Sequence, residues 1–392
     1  MPIVVIAAYN VAAFPEGGGH FWVYLQYVLG LRQLGCEVYW LEGFRTKGRT
    51  KQDAAALAVF RRRMDEHGFH GKCILYTTRG DTPMPEAPAE YVDMTRAAAE
   101  AIFERADLLL NFHYAISPGL LAHFRRTALV DIDPGLLQFW ISRGQLCVPS
   151  HDFYFTISEK VGQPDGKIPD CGLGWIPIRP AVCVERWPYS FDPRSDTFTT
   201  VSIWDSSDWV VDRDERYENT KRVAFLQFAE LPRLTPQRLE LALFLRTERD
   251  MNEWKDLENR GWHIRHSREV AATPEMYQAY IQRSRGEFSC AKPSYLKFET
   301  AWISDRTVCY LASGKPVVVQ DTGPSAFLPN GEGMFRFANL RQAAEALAAI
   351  NADYERHCRA ARELAEAYFD AKRVAEKILS HTLNPVPAEE NA

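Results

Sequence analysis

The stretch from residue 304 to residue 323, SDRTVCYLASGKPVVVQDTG, limits the possible folds more than any other part of this sequence. Its polar start is followed by Val308, Leu311 and Ala312 at helical spacing, and a Gly-Lys-Pro break ends the predicted helix. Residues 317–320 are typical of a short buried strand. A helix that leads into a strand in this way is the repeating unit of a parallel α/β fold, and its N-terminus offers N–H groups to an anion.

Strands and helices are predicted to alternate along both halves of the chain. In the first half, strands are expected at 3–8, 36–41, 73–77, 107–112 and 127–132, with helices at 20–34, 51–68, 95–106 and 117–124. In the second half, strands are expected at 198–204, 239–245, 262–265, 286–290, 317–320 and 333–337, with helices at 222–228, 274–283 and 339–379. This order predicts open parallel sheets with helices on both faces.

A region rich in proline and glycine, residues 160–196, separates the two halves and is the candidate linker. The 392 residues exceed what one core of ordinary size requires. We therefore predict two α/β domains, residues 1–185 and 197–364.

The overall charge and the cysteines exclude some classes of protein. A net charge of −5 argues against nucleic acid or an anionic membrane as the main partner. No apolar run reaches the ~18 residues of a membrane span, and the start does not resemble a signal peptide. Eight cysteines without C-x-x-C pairing favour reduced thiols in a bacterial-type cytoplasm.

A glycine-rich loop, Gly17-Gly18-Gly19-His20, is predicted between the first strand and the first helix. Three glycines allow the backbone to approach a phosphate or sugar, and His20 could accept a proton near pH 7. The alternatives are a plain connecting loop and a capping or exposed histidine. The pattern is not G-x-G-x-x-G, so a nicotinamide cofactor has little support.

Asp131 and Asp133 lie on one face at the end of the predicted fifth strand. A carboxylate there would line the crevice where α/β proteins bind ligands, which makes Asp133 a candidate catalytic base. A turn formed by Asp133-Pro134-Gly135 and, less favoured, a metal site are the alternatives.

Cations and hydroxyl groups are concentrated between residues 283 and 306. Phosphate oxygens are bound by such a mixture of cations and hydroxyl groups beside backbone N–H groups, so a phosphate site is predicted here. The alternative is a solvated face whose cations form ion pairs within the protein. The candidate donor- and phosphate-binding residues are Gly18, Gly19, Lys292, Tyr295, Lys297, Ser304, Asp305, Arg306, Asp321 and Thr322.

Two segments resemble GT-B fold glycosyltransferases: GGGHFWVYLQYVLGLRQLGCEVYWLE near the start, and residues 304–323. The resemblance implies two Rossmann-like domains that face a cleft, with a last helix at about 365–384 crossing back to the first domain. It also implies that the second domain binds a nucleotide-sugar, that the first binds the acceptor, and that neither a cofactor nor an essential metal is needed. Where a ribose-binding glutamate is common in that family, this chain has Cys309.

We therefore expect a cytoplasmic glycosyltransferase that moves a sugar from a nucleoside-diphosphate sugar to a hydroxyl-bearing acceptor, small molecule or glycan. His20 or Asp133 would deprotonate the acceptor if the reaction inverts the anomeric centre. If the reaction retains the configuration of the anomeric centre, the leaving phosphate would help to deprotonate the acceptor. The alternatives are a nucleotide-sugar epimerase, a non-catalytic nucleotide- or glycan-binding protein, and a nicotinamide oxidoreductase.

Overall fold

The computed structural model describes residues 1–46, 48–78, 90–206, 209–212, 215–245 and 247–383. Strands β1 to β16 are Ile3–Ala7, Glu37–Arg45, Cys73–Thr78, Glu90–Val92, Leu108–Asn111, Thr127–Asp131, Phe153–Thr156, Trp175–Pro177, Thr197–Ile203, Trp209–Asp212, Glu215–Glu218, Arg238–Phe244, His263–His266, Gly286–Ser289, Val317–Gln320 and Met334–Phe337. Helices α1 to α14 are Gly18–Gln33, Thr50–Glu66, Arg96–Arg105, Pro118–Leu121, Leu136–Ser142, Lys221–Gln227, Glu248–Asn259, Arg268–Ala271, Pro274–Arg283, Pro293–Lys297, Asp305–Ala312, Leu340–Ala352, Tyr354–Leu364 and Ala371–Thr382.

Two large sheets form the framework. The first has the strand order β4-β3-β2-β1-β5-β6-β7-β8 and the second has the order β13-β12-β9-β14-β15-β16. Neighbouring strands are parallel throughout, except that β4 runs antiparallel to β3 at the edge of the first sheet. Central strands such as β1 and β15 are apolar and buried, as strands covered by helices on both faces must be. The predicted α/β class is confirmed.

The proline-rich region contains structure that its composition did not predict. Strand β8 lies inside it and pairs with β7, so the first sheet extends to Pro177. A second unpredicted feature is the hairpin of β10 and β11, which contacts α5 of the first half. The indole N–H of Trp140 on α5 donates to the Trp209 carbonyl on β10. Short strands such as these carry too little pattern to be recognised without their partners.

The last helix, α14, crosses back to the first half and packs on α1. A π-helical turn at Ala365–Phe369 redirects the chain, and the Ala371 N–H then donates to the Val182 carbonyl. The two helices touch at Gly30, where a Cβ atom would lie 2.2 Å from the Ala371 oxygen. The crossing predicted from the resemblance is thus present, although α14 ends at Thr382 and residue 384 lies outside the described residues.

Candidate active site

A cavity of about 280 Å³ lies between the two halves. Its walls are the first turn of α1, the carboxyl ends of β9 and β12, and the beginnings of α6 and α11, which is where open α/β sheets bind ligands. The lining residues are Phe14, Glu16, Gly17, Gly18, Gly19, His20, Val201, Ser202, Ile203, Ser206, Lys221, Phe244, Ser267, Ala271, Tyr277, Lys292, Ser304, Asp305 and Arg306. Seven of the twelve predicted site residues are therefore brought together.

Gly18 and Gly19 lie in the first turn of α1 and not in a loop, and Gly17 is the N-cap residue before them. A Cβ atom on Gly18 would be 2.2 Å from the backbone oxygen of Thr273, and one on Gly19 would be 2.7 Å from the Tyr277 ring. Distances below 3 Å are not tolerated without movement, so these glycines allow the second half to approach α1. This close approach explains the glycines without a phosphate, although both residues line the cavity.

His20 is held in one tautomer by the backbone. Its Nε2 lies 2.7 Å from the carbonyl oxygen of Tyr9. Since a carbonyl can only accept, Nε2 carries the hydrogen and Nδ1 keeps its lone pair. Burial lowers the pKa of His20 below 6.5, more than the Tyr9 carbonyl and the Asp305 charge raise it. The imidazole is therefore neutral at pH 7 and has a nitrogen that can accept a proton.

Lys221 is a cavity residue that the sequence analysis missed. It is the first residue of α6, after Thr220 at the N-cap position, and its Nζ lies 5.3 Å from the centre of the Trp302 ring. Burial lowers the pKa of Lys221 to about 7, and the charges of Arg306 and Lys292 add to this effect. The sequence signal for Lys221 was its place after a threonine at a helix start. The helix was predicted to begin one residue later, at 222, so this signal was not used.

Lys292, Tyr295 and Asp133 join the two halves beside the cavity. The Lys292 ammonium lies 2.5 Å from Oδ2 of Asp133, and the Tyr295 hydroxyl donates to Oδ1 at 2.5 Å. Both carboxylate oxygens of Asp133 are thus occupied by groups of the second half. The structure shows a bridge between the halves here; the catalytic role of Asp133 stays a prediction.

The neighbouring Asp131 fixes this turn. Its carboxylate accepts hydrogen bonds from the hydroxyls of Tyr114 and Thr156, the amide of Gln138 and the backbone N–H of Asp133, at 2.8–3.1 Å. Burial raises the pKa of Asp131 to about 6, although hydrogen bonds to the carboxylate act to lower it. Its oxygens hold the chain in place, which fits the turn alternative better than the metal alternative.

Arg306 forms a buried ion pair beside the cavity. Its side chain lines the cavity, but Nε donates to Oε1 of Glu287 at 2.6 Å, Nη1 to the Val201 carbonyl at 2.7 Å, and Nη2 to the Ser289 hydroxyl at 2.5 Å. Glu287 is fully buried. The guanidinium therefore compensates a buried carboxylate, as the alternative of internal ion pairs expects, and the donor- and phosphate-binding role of Arg306 stays a prediction.

Ser304 and Asp305 form the start of α11. The Ser304 hydroxyl oxygen accepts the N–H of Arg306 at 3.2 Å, so Ser304 is the N-cap. Asp305 places a carboxylate in the cavity, where it would repel a phosphate oxygen. Only its backbone could serve the predicted phosphate contact, whereas its side chain is suited to a hydroxyl group. Cys309, one turn further, is buried and accepts a weak hydrogen bond from Gln26 of α1.

Besides Asp133 and Tyr295, three further predicted residues lie outside the cavity lining. Lys297 faces a different groove and lies 3.4 Å from Glu215. Asp321 pairs with Arg336 at 2.8 Å. The Thr322 hydroxyl donates to the Trp302 carbonyl at 2.8 Å. Each has a local structural partner that its sequence context did not reveal.

The described residues lack two kinds of feature. They contain no group of three or more His, Cys, Asp and Glu side chains arranged to hold a metal ion. Within the same ranges, no helix has the length and apolar character needed to cross a membrane.

The fold is shared with solved glycosyltransferases. HepE of Anabaena, solved with UDP and glucose, has 11% identity and a TM-score of 0.57, with 98% of this chain and 100% of that chain covered. An alpha-glucosyltransferase with UDP-glucose and DNA has 11% identity and a TM-score of 0.58, with 97% and 99% covered. A mutant of TarM from S. aureus, solved with Fondaparinux, alpha-GlcNAc-glycerol and UDP, has 10% identity and a TM-score of 0.57, with 97% and 99% covered.

No protein-family model matches the chain, and no curated protein matches it by sequence. At such low identities, structural likeness establishes the fold alone. The chain therefore has the GT-B fold: two parallel α/β units around a cleft, with a returning C-terminal helix.

Proposed function

We propose that the protein is a glycosyltransferase that transfers a sugar from a nucleoside-diphosphate sugar to a hydroxyl group of an acceptor. The observation that carries the proposal is the cavity between the halves, which combines Lys221, Lys292, the start of α11 and a neutral histidine. Solved proteins of the same fold hold UDP or UDP-glucose. The phosphates of a nucleoside diphosphate need cations, and this cleft offers two lysines.

The two lysines would bind the diphosphate and stabilise it as it leaves. Lys221 has a pKa of about 7 without a ligand because it is buried beside other cations. An incoming diphosphate would raise that pKa, so the ammonium form would be drawn to the place where negative charge develops. Lys292 stands beside it with Asp133 as its fixed partner.

His20 and Asp305 would act on the hydroxyl groups of the two substrates. The lone pair on Nδ1 of His20 can take the proton of the acceptor hydroxyl. The Asp305 carboxylate can accept a hydrogen bond from a hydroxyl group of the sugar. This base role belongs to an inverting reaction. In a retaining reaction the leaving phosphate would take the proton, and the anomeric configuration of the product decides between the two.

The remaining parts of the proposal concern partners and location. The transfer needs no cofactor and no metal ion, because the lysines would supply the positive charge. The net charge of −5 favours a small-molecule or glycan acceptor over nucleic acid. All eight cysteines are unpaired, which supports a reducing compartment such as the cytoplasm.

The test is to incubate the protein with the UDP, GDP and dTDP forms of several sugars, with and without a mixture of hydroxyl-bearing acceptors. We expect one donor to release free nucleoside diphosphate faster when its acceptor is present. A change of the sugar without release would indicate an epimerase. Binding of a nucleotide without turnover in any mixture would indicate a binding protein and contradict the proposal.

A further inference from the structure

A second pocket, of about 350 Å³, lies where α14 returns to the first half. None of its lining residues is shared with the cavity between the halves. Three cations face it: Arg179 after β8, and Arg373 and Lys377 one turn apart on α14. Glu159 and Tyr368 complete the polar wall.

The only acid of this lining, Glu159, is already engaged. Its Oε1 accepts the Ser325 hydroxyl at 2.5 Å and its Oε2 accepts the Ala326 N–H at 2.9 Å. Among the described parts of the chain, no carboxylate lies within ion-pair distance of Arg179, Arg373 or Lys377. The pocket therefore carries three positive charges against one negative charge that is turned towards a loop.

Aromatic rings fix the position of one of these cations. The guanidinium of Arg179 lies 3.3 Å from the centre of the Phe327 ring and 5.1 Å from that of Tyr368. A guanidinium whose face is covered by a ring keeps its N–H groups at the edge, available for an anion. Burial, and then the charge of Arg179, lower the pKa of Lys377. Like charges held this close raise the free energy of the empty pocket, and an anion would lower it.

We propose that this pocket binds a phosphate monoester, with the phosphate between Arg179, Arg373 and Lys377 and the organic group against Tyr368. The excess of two positive charges matches the charge of about −1.5 to −2 that a phosphate monoester carries at pH 7. Two guanidinium groups and one ammonium suit its three terminal oxygens. The site is independent of the proposed donor site, because the two share no lining residue.

The test is a calorimetric titration of the full chain with phenyl phosphate at pH 7.5 and constant ionic strength. Inorganic phosphate serves as the anion alone, and benzoate as a singly charged aryl anion. The test variant carries both Arg373→Ala and Lys377→Ala, and the matched control carries Lys372→Ala. Lys372 is exposed on the same helix but does not line the pocket.

We expect saturable binding of phenyl phosphate, weaker binding of phosphate and weaker binding still of benzoate. The double variant should lose at least about tenfold in affinity, since hydrogen bonds to charged groups contribute that much or more. The control should bind as the unaltered protein does. Absence of saturable binding, equal affinity in the double variant, or an equal loss in Lys372→Ala would each overturn the proposal. So would a loss of this binding in Lys221→Ala, because it would place the ligand in the cavity between the halves.

Discussion

Replacement of Arg306 by alanine should destabilise the second half of the protein and not simply weaken ligand binding. The variant removes the only described partner of the Glu287 carboxylate, which is fully buried and has its second oxygen, Oε2, already without a partner in the described residues. Burial disfavours the charged form of Arg306 and lowers its pKa. The Glu287 carboxylate outweighs this effect, so the pKa of the guanidinium lies above its ordinary value. The guanidinium is therefore charged, and the variant leaves the fully buried Glu287 carboxyl group without its counter-ion.

The magnitude follows from the burial of the pair. Removal of one partner of a buried ion pair costs about 3–5 kcal/mol. For a unit of roughly 170 residues, each kcal/mol lowers the melting temperature by about 2–4 °C, so we expect a fall of about 6–20 °C. Calorimetric melting of the variant and the unaltered protein measures this shift.

Two further variants separate the charge effect from a loss of packing. Arg306→Met together with Glu287→Leu removes both charges and keeps most of the volume, and it should be more stable than Arg306→Ala alone. Arg341→Ala breaks an exposed pair with Glu345 in the same half and should change stability by less than about 1 kcal/mol. A shift below about 2 °C in Arg306→Ala, or a double variant less stable than the single one, would refute the reasoning.

Two other predictions concern the first turn of α1. Because burial lowers the pKa of His20, activity that needs its neutral form should persist as the pH falls to 6.5 and decline only below it. The contribution of His20 to folding stability is likewise complete above pH 6.5 and is lost as the pH falls towards the lower pKa of the folded state. A loss of activity that begins on acidification while the pH is still above 6.5 would contradict this. Gly18→Ala should cost about 1–3 kcal/mol or more and reduce turnover, since its Cβ would overlap the Thr273 backbone. Gly174→Ala, with open space around it, is the matched control in the same melting and rate assays.

Local signals in the sequence predicted the framework well. The helix and strand expected between 304 and 323 are α11 and β15, because capping, periodicity and a glycine break all lie within twenty residues. The short strand β8 and the β10–β11 hairpin were missed, since their stability depends on partners elsewhere.

The site was predicted less completely because its decisive contacts join distant residues. Gly18 contacts Thr273, more than 250 residues away, so the sequence offered only local explanations for the glycines: a phosphate-binding loop or a plain connecting loop. An internal ion pair with Glu287 was among the alternatives for Arg306, but only the fold shows that this pair is buried and not on a solvated face. The only local signal for Lys221 was its place at a helix start after Thr220, and only the fold brings it to the cavity.

The central claim is that the cavity between the halves holds the diphosphate of a nucleotide-sugar. Calorimetric titration with UDP, GDP and dTDP tests it most directly, on the unaltered protein, on Lys221→Met and on Lys297→Met. We predict that one nucleotide binds, that Lys221→Met weakens it by about tenfold or more, and that Lys297→Met, outside the cavity, leaves it unchanged. Absence of binding by all three nucleotides, or equal affinity in Lys221→Met, would contradict the account.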